Sequence, residues 1–210
     1  MSNQIINRAN NKIDSKDFIK LTQLHIEYEW LTYEPEALFD LWCLSENIEQ
    51  QNLIEHLIKN FSFIDSRKLT LASQNLSNHI EEIWGLTPSN TYLLATCGDS
   101  KPDGSQSIIQ ILKNKFSINW KESNFYNSLP IGANEINDNS NIILVDDFIG
   151  TGDTIDRKLK YLNSTIKKRN LQNITIRIIS LAAMDFSKNI LDGLGVDYYS
   201  VHWLKKGINE

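Results

Sequence analysis

The sequence predicts an α/β protein in which an all-helical front segment precedes a parallel sheet with crossover helices. Three observations carry that reading. Before position 85, apolar residues recur at three- and four-residue spacing. After position 91, short apolar runs alternate with Gly-rich turns and helical stripes, the grammar of strand, crossover helix, strand. Between the two lies "GLTPSN" at 85–90, a stretch of turn-forming residues.

The front segment is expected over 15–88, behind a polar and flexible stretch at 1–14. Phe18, Leu21, His25, Tyr28 and Leu31 form a first helical stripe. Pro35 is placed to open a helix carrying Leu38, Leu41 and Trp42, because its missing N–H costs nothing in a first turn. Ile54, Leu57, Ile58 and Phe61 make a third stripe, and Leu69, Ala72, Leu76, Ile80 and Ile83 a fourth, with Asp65 or Ser66 as its cap.

The second region, 91–210, opens on "TYLLATC" (91–97), a buried strand followed by a loop into a helix with Ile108, Ile109, Ile111 and Leu112. "FSINW" (116–120) alternates as a short strand does, and 121–140 follows as a polar loop without periodicity. "NIILV" (141–145) is the clearest strand. Ile155, Leu159, Leu162 and Ile166 give a helix, 174–184 a strand, "DFSKNILDGLG" a short helix and 196–204 a last strand.

Composition narrows the function classes. The chain of 210 residues is 41% hydrophobic and 22% charged, enough for a core without staples. Cys43 and Cys97 have no neighbouring Cys or His, so neither a disulfide framework nor a zinc motif is indicated, and a reducing, cytoplasmic setting is expected. No apolar run reaches the roughly 20 residues of a membrane span, so a soluble protein without a membrane partner is expected. Residues 1–90 carry 7 Lys/Arg against 13 Asp/Glu, and the remainder 14 against 13. An acidic front segment is a poor independent binder of nucleic acid, which argues against using 48–84 as a helix–turn–helix.

The stretch that carries chemistry is "VDDFIGTGDT" (145–154). At the carboxyl edge of a parallel strand the chain turns into a helix whose first N–H groups lack partners, so an anion there gains hydrogen bonds and the helix dipole. Gly150 and Gly152 let the backbone wrap a phosphate, and Thr151 and Thr154 offer hydroxyls. Asp146 and Asp147 suit the vicinal hydroxyls of a sugar, or a hydrated Mg²⁺ held through water or ligand. Both acids are expected at an exposed loop mouth, where replacing them with Asn costs no more than about half a kcal/mol of stability.

The run "IILVDDFIGTGDTI" resembles the signature of the type I phosphoribosyltransferases over its whole length. The resemblance implies a phosphoribosyltransferase-like, Rossmann-like core over about 91–204. It implies that Asp146 and Asp147 are catalytic carboxylates that hold the ribose 2′- and 3′-hydroxyls, and that Gly150, Thr151, Gly152, Asp153 and Thr154 hold the 5′-phosphate of phosphoribosyl pyrophosphate or of a nucleotide, with Mg²⁺ as cofactor. It implies a pyrophosphate loop at Gly98, Asp99, Ser100 and Lys101, with Lys101 aimed at the leaving group, and a mobile catalytic loop within 121–140. A helical or winged-helix-like front segment before such a domain is similar to phosphoribosyltransferase-like proteins encoded beside bacterial defence systems, retrons included. That similarity implies a protein partner or a homo-oligomer formed through the helical segment.

Three departures from the signature bear on turnover. Asp153 adds a negative charge beside the phosphate, and affinity survives only if its side chain turns to solvent. The pyrophosphate loop holds a single cation, Lys101, against two acids, Asp99 and Asp103, and Lys121 is the only base in its stretch. Departing pyrophosphate needs positive charge, and the sequence offers little of it. Two functions follow: ribose 5-phosphate transfer, or a nucleotide-binding effector that has lost turnover. The "KKR" at 167–169 reads as a solvated helix end, the four histidines as structural, and Cys97 as packing.

Overall fold

The computed structural model describes residues 13–98 and 103–207. The expected flexible stretch at 1–14 falls almost wholly outside them, as do Asp99, Ser100 and Lys101. The described chain divides into two compact units, one running to Asp65 and taking in Gly207, the other spanning Ser66–Lys206.

The first unit is helical. It holds α1 (Ser15–Glu27), a 3₁₀ turn (Glu29–Tyr33), α2 (Pro35–Leu44) and α3 (Ile48–Asn60). The Asp14 carboxylate accepts the N–H groups of Lys16 and Asp17, and Asn47 accepts that of Gln50, so α1 and α3 start on side-chain caps. Leu21, Leu24, Leu31, Leu38, Trp42 and Ile58 form its core. Phe18, Leu41 and Phe61, assigned to the same stripes from spacing, are exposed.

The second unit is a five-stranded, all-parallel sheet in the order β2-β1-β3-β4-β5. The strands are β1 (Thr91–Ala95), β2 (Phe125–Tyr126), β3 (Asn141–Ile149), β4 (Thr175–Met184) and β5 (Asp197–Leu204). The helices are α4 (Ser66–Asn78), α5 (Gly104–Lys113), α6 (Leu129–Glu135), α7 (Asp153–Lys168) and α8 (Lys188–Gly193). One face of the sheet packs Leu93, Ala95, Ile143, Val145 and Ile179 against Leu76 and Ile80 and against Ile108, Ile109 and Leu112 of α5. The other packs Leu94, Ile142, Leu144 and Ile178 against α6 and α7 through Leu129, Ala133, Ile155, Leu159 and Leu162. The strand-to-strand alternation is that of a sheet buried on both faces.

The division at 65/66 assigns α4 to the sheet unit, where sequence spacing grouped it with the front helices. Of the stripe read from spacing, Ala72 and Leu76 of α4 and Ile80 of the π turn that follows it (His79–Ile83) are buried, Leu69 is partly buried and Ile83 is exposed. Spacing shows that a helix has an apolar face but not which core receives it.

Two segments differ from expectation. "FSINW" (116–120) is not a strand. Phe116 and Trp120 pack with tilted rings at 4.3 Å between centroids, and the Trp120 indole N–H donates to Glu81 at 2.8 Å. The apparent alternation is therefore a turn folding its aromatics onto one cluster. The stretch 121–140 is not a structureless loop either, since it holds a 3₁₀ turn, β2 and α6. Buried Asn124 ties it down by donating to the carbonyls of Pro88 at 2.7 Å and Thr91 at 2.8 Å. A two-residue strand leaves no period to read.

Candidate functional site

In this strand order the chain leaves β1 toward β2 on one side and resumes at β3 on the other. The carboxyl ends of β1 and β3 therefore flank a crevice that no connection covers, the place where open parallel sheets bind ligands. A cavity of about 850 Å³ opens there, lined by Thr96, Asp103, Leu129, Asp146, Asp147 and the turn after β3.

β3 runs on through the acid pair to Ile149, so the acids belong to the strand and not to the loop beyond it. Side chains alternate across a strand. Asp146 turns to the face of α6 and α7, and Asp147 toward the start of α5, where a Cβ on Gly104 would overlap its carboxylate. Any residue larger than Gly104 would therefore displace the Asp147 carboxylate. Asp146 is 8% exposed, which corrects the expectation of two acids at an open loop mouth. Burial first, then the hydrogen bond and charge of Asp147, push the Asp146 carboxyl up to about 7, against an opposing hydrogen bond from Thr96. The Asp147 N–H donates to Asp146 Oδ1 at 3.0 Å.

After Ile149 the turn is made at Gly152, whose φ of +96° places it in the left-handed region open to glycine. It is the N-cap of α7 and carries no side chain to occupy the helix N–H groups. Gly150, Thr151, Gly152 and Thr154 line the cavity, whereas Asp153 does not and is exposed. The Thr151 hydroxyl donates to Asp153 Oδ2 at 2.8 Å, holding that carboxylate away from the cavity. Arg157 donates to the Thr154 hydroxyl at 3.2 Å.

Beyond β1 the Asp103 carboxylate caps α5, accepting from the Ser105 N–H at 3.0 Å and from the Ser105 hydroxyl. That hydroxyl in turn accepts the Cys97 N–H at 3.1 Å. Burial, then Asp103, push the Cys97 thiol up, with Lys158 pulling the other way, and the side chain is fully buried in the core. Of the expected pyrophosphate loop only Gly98 is among the described residues.

The sequence reading missed the cations of α7. Arg157 and Lys158 both line the cavity. They lie three and four residues beyond Thr154, on the same helical face, and Tyr161 follows at the seventh. That spacing from the signature threonine was available in the sequence. From the rebuilt 121–140 segment, Leu129 and Pro130 reach the cavity. No histidine lines it. His79 instead stacks on Tyr199 at 3.8 Å, and burial lowers its pKa. At the far end of α7, Arg169 donates to the Ala133 carbonyl at 2.8 Å, bracing α6. No helix among the described residues is long and apolar enough to cross a membrane.

Solved structures that this chain resembles include adenine phosphoribosyltransferase from Thermoanaerobacter pseudethanolicus, at 15% identity and TM-score 0.45, covering 67% of this chain and 82% of that one. Orotate phosphoribosyltransferase from Aeropyrum pernix matches at 16% identity and TM-score 0.43, covering 72% and 93%. A hypothetical protein from Neisseria gonorrhoeae with bound ppGpp matches at 12% identity and TM-score 0.44, covering 67% and 81%. No curated protein matches. The PRTase-CE family model matches residues 39–206, a span that takes in the whole sheet, the acid pair and the Gly152 turn. With most of its length so matched, the chain belongs to the PRTase-CE family.

Proposed function

We propose that the protein binds phosphoribosyl pyrophosphate, or a nucleotide containing the same ribose 5-phosphate, in the cavity between the ends of β1 and β3. The observation that carries this is the meeting, in one cavity, of an acid pair with a glycine-capped helix start: hydrogen-bond acceptors for sugar hydroxyls on one side, the first-turn N–H groups of a helix whose N-cap has no side chain on the other. Asp146 and Asp147 accept from the ribose 2′- and 3′-hydroxyls. Gly150, Thr151, Gly152 and Thr154 surround the 5′-phosphate, with Asp153 turned out and contributing through Thr151. Gly98, Asp99, Ser100 and Lys101 are proposed for the pyrophosphate end.

The donor set fits Mg²⁺ in one way only. Among the described residues no group of three or more His, Cys, Asp or Glu could cage a metal. Two hard carboxylates beside a phosphate site match an ion that keeps waters and takes its remaining oxygens from ligand. When bound, Mg²⁺ supplies charge neutralisation at the phosphates. The protein's own part is to orient the ribose through the acids and to neutralise developing charge through Lys101.

A second reading, a nucleotide-binding effector of a bacterial defence system, retrons included, acting in the cytoplasm through a protein partner or a second copy, draws support from large apolar side chains left exposed on the helical unit, among them Ile26, Leu44 and Phe61. Calorimetry with phosphoribosyl pyrophosphate and Mg²⁺ tests the common seat. Pyrophosphate release over a panel of nucleobases then separates transfer from sensing. Absence of binding by any ribose 5-phosphate ligand refutes both.

A further inference from the structure

We propose that Lys158 is the cation for a second phosphate group, the diphosphate carried at ribose C1, and that it supplies from α7 the charge in which the β1 loop is poor. The inference rests on the ribose-phosphate reading for the orientation of the ligand, but not for the presence of an anion site.

Position is the first argument. Lys158 stands one helical turn beyond Thr154 on the face that lines the cavity, so it lies past the 5′-phosphate seat at the helix start. Its ammonium reaches toward β1, with Nζ 4.0 Å from where a Cβ on Gly98 would stand. The cation and the acid pair thus line one cavity, and the cation sits at the β1 side of it.

Availability is the second. Lys160, two residues on, is paired with Asp156 at 2.6 Å, and Arg157 donates to Thr154. Lys158 has no ion pair among the described residues. Asp103, an acid that lines the same cavity, has its carboxylate engaged in capping α5. A half-buried ammonium without a carboxylate partner, inside a cavity, is a strong point charge for phosphate oxygens.

Ligand chemistry is the third. Three of the lining residues are acids, Asp103, Asp146 and Asp147. A ligand with two separated phosphate groups meets them with the helix start and the Thr154-bonded Arg157 to favour one end, and a further cationic centre is needed to serve the other. Lys158 is that centre.

The test is calorimetry on the full chain with three probes, ribose 5-phosphate, inorganic diphosphate with Mg²⁺, and phosphoribosyl pyrophosphate with Mg²⁺. Lys158→Met, which keeps the aliphatic stem, is expected to weaken both diphosphate-bearing probes about tenfold or more and ribose 5-phosphate by less than about twofold. Lys158→Arg, which keeps the charge, is expected to retain binding of all three within about threefold. Equal loss on ribose 5-phosphate, no loss on diphosphate, or an unmodified protein that binds no diphosphate probe overturns the assignment. Diphosphate binding that depends on Lys158, in a protein indifferent to ribose 5-phosphate, upholds it and removes the ribose reading instead.

Discussion

Replacing Asp146 by Asn should stabilise the ligand-free protein at high pH while destroying its ribose-phosphate site. The carboxyl stands at about 7 against an ordinary 3.8, chiefly through burial. A folded-state pKa raised in this way means that between those two values the native chain holds a proton the unfolded chain has released. Stability therefore falls as pH rises through that window, and the cost is complete above it. About three pK units at ~1.4 kcal/mol each set an upper bound on the order of 4 kcal/mol. Relaxation of the acid pair and water entering the cavity reduce this, and about half survives as a working figure.

The amide suits the position. Its oxygen still accepts from the Asp147 N–H, and its NH₂ can donate to the Asp147 carboxylate where the shared proton stood. A gain of about 2 kcal/mol raises the melting temperature by roughly 4–8 °C for a chain of this size. Scanning calorimetry of both proteins at pH 8 should show that rise, and less than half of it at pH 5, where the native acid is mostly protonated already. A melting temperature lowered equally at the two pH values would refute the reasoning, because it would make the ionised carboxylate a structural requirement.

Binding of phosphoribosyl pyrophosphate with Mg²⁺ should release about half a proton at pH 7, since it stabilises an Asp146 carboxylate whose pKa is near that value; calorimetry in buffers of different ionisation enthalpy measures it, and zero release removes Asp146 from the contact. Gly152→Ala should cost at least ~1 kcal/mol in urea denaturation, because φ is +96° and a Cβ would stand 3.0 Å from Ile190. Gly150→Ala, whose Cβ would meet nothing nearer than 3.7 Å, should stay within about half a kcal/mol. Gly104→Ala should leave the melting temperature nearly unchanged and weaken ribose 5-phosphate about tenfold by displacing the Asp147 carboxylate, and unchanged affinity would show Asp147 idle. If the protein turns over, Lys101→Ala should lower its rate about a hundredfold with ribose 5-phosphate affinity retained, as read by pyrophosphate release and calorimetry.

The sheet was legible where elements are long and buried on both sides. β3, β4 and β5 and the helix α7 follow from apolar runs and a 3.6-residue stripe, and the turn at Gly152 follows from the unpaired N–H groups a helix start presents. Illegible elements were short or satisfied by distant partners. β2 has two residues, and the order around it comes from Asn124 reaching back to Pro88 and Thr91, some thirty positions earlier. The burial of Asp146 was hidden for a related reason: two adjacent acids read as a loop, yet β3 continues three residues past Asp146 because β4 pairs with it as far as Ile149 and Ala183. Lys158 was missed, although its four-residue spacing from Thr154 puts it on the same helical face. What spacing lacked was the approach of that face to Gly98, a contact across sixty positions.

These corrections bear on the polarity of the ligand. A buried Asp146 carboxyl pushed up to about 7 and an ammonium without a carboxylate partner among the described residues are each unfavourable where they stand, and they do not cancel, because Asp146 hydrogen-bonds Thr96 while Lys158 faces Gly98. Joining them directly would need the two side chains to meet, and no ion pair between them forms among the described residues. What relieves both is a ligand that donates at one end and accepts at the other. Vicinal hydroxyls supply the donors to Asp146 and Asp147, phosphate oxygens supply acceptors to Lys158 and to the N–H groups of α7, and a sugar phosphate holds the two sets one ring apart. A purely anionic ligand satisfies Lys158 and leaves the acids opposed; a neutral sugar does the reverse. The prediction is accordingly sharper than affinity for phosphate. At pH 8, above the value of about 7 to which the Asp146 carboxyl is pushed, ribose 5-phosphate should bind at least about tenfold more tightly than either free ribose or inorganic phosphate, and parity between ribose 5-phosphate and inorganic phosphate would mean that the acids serve something other than the sugar.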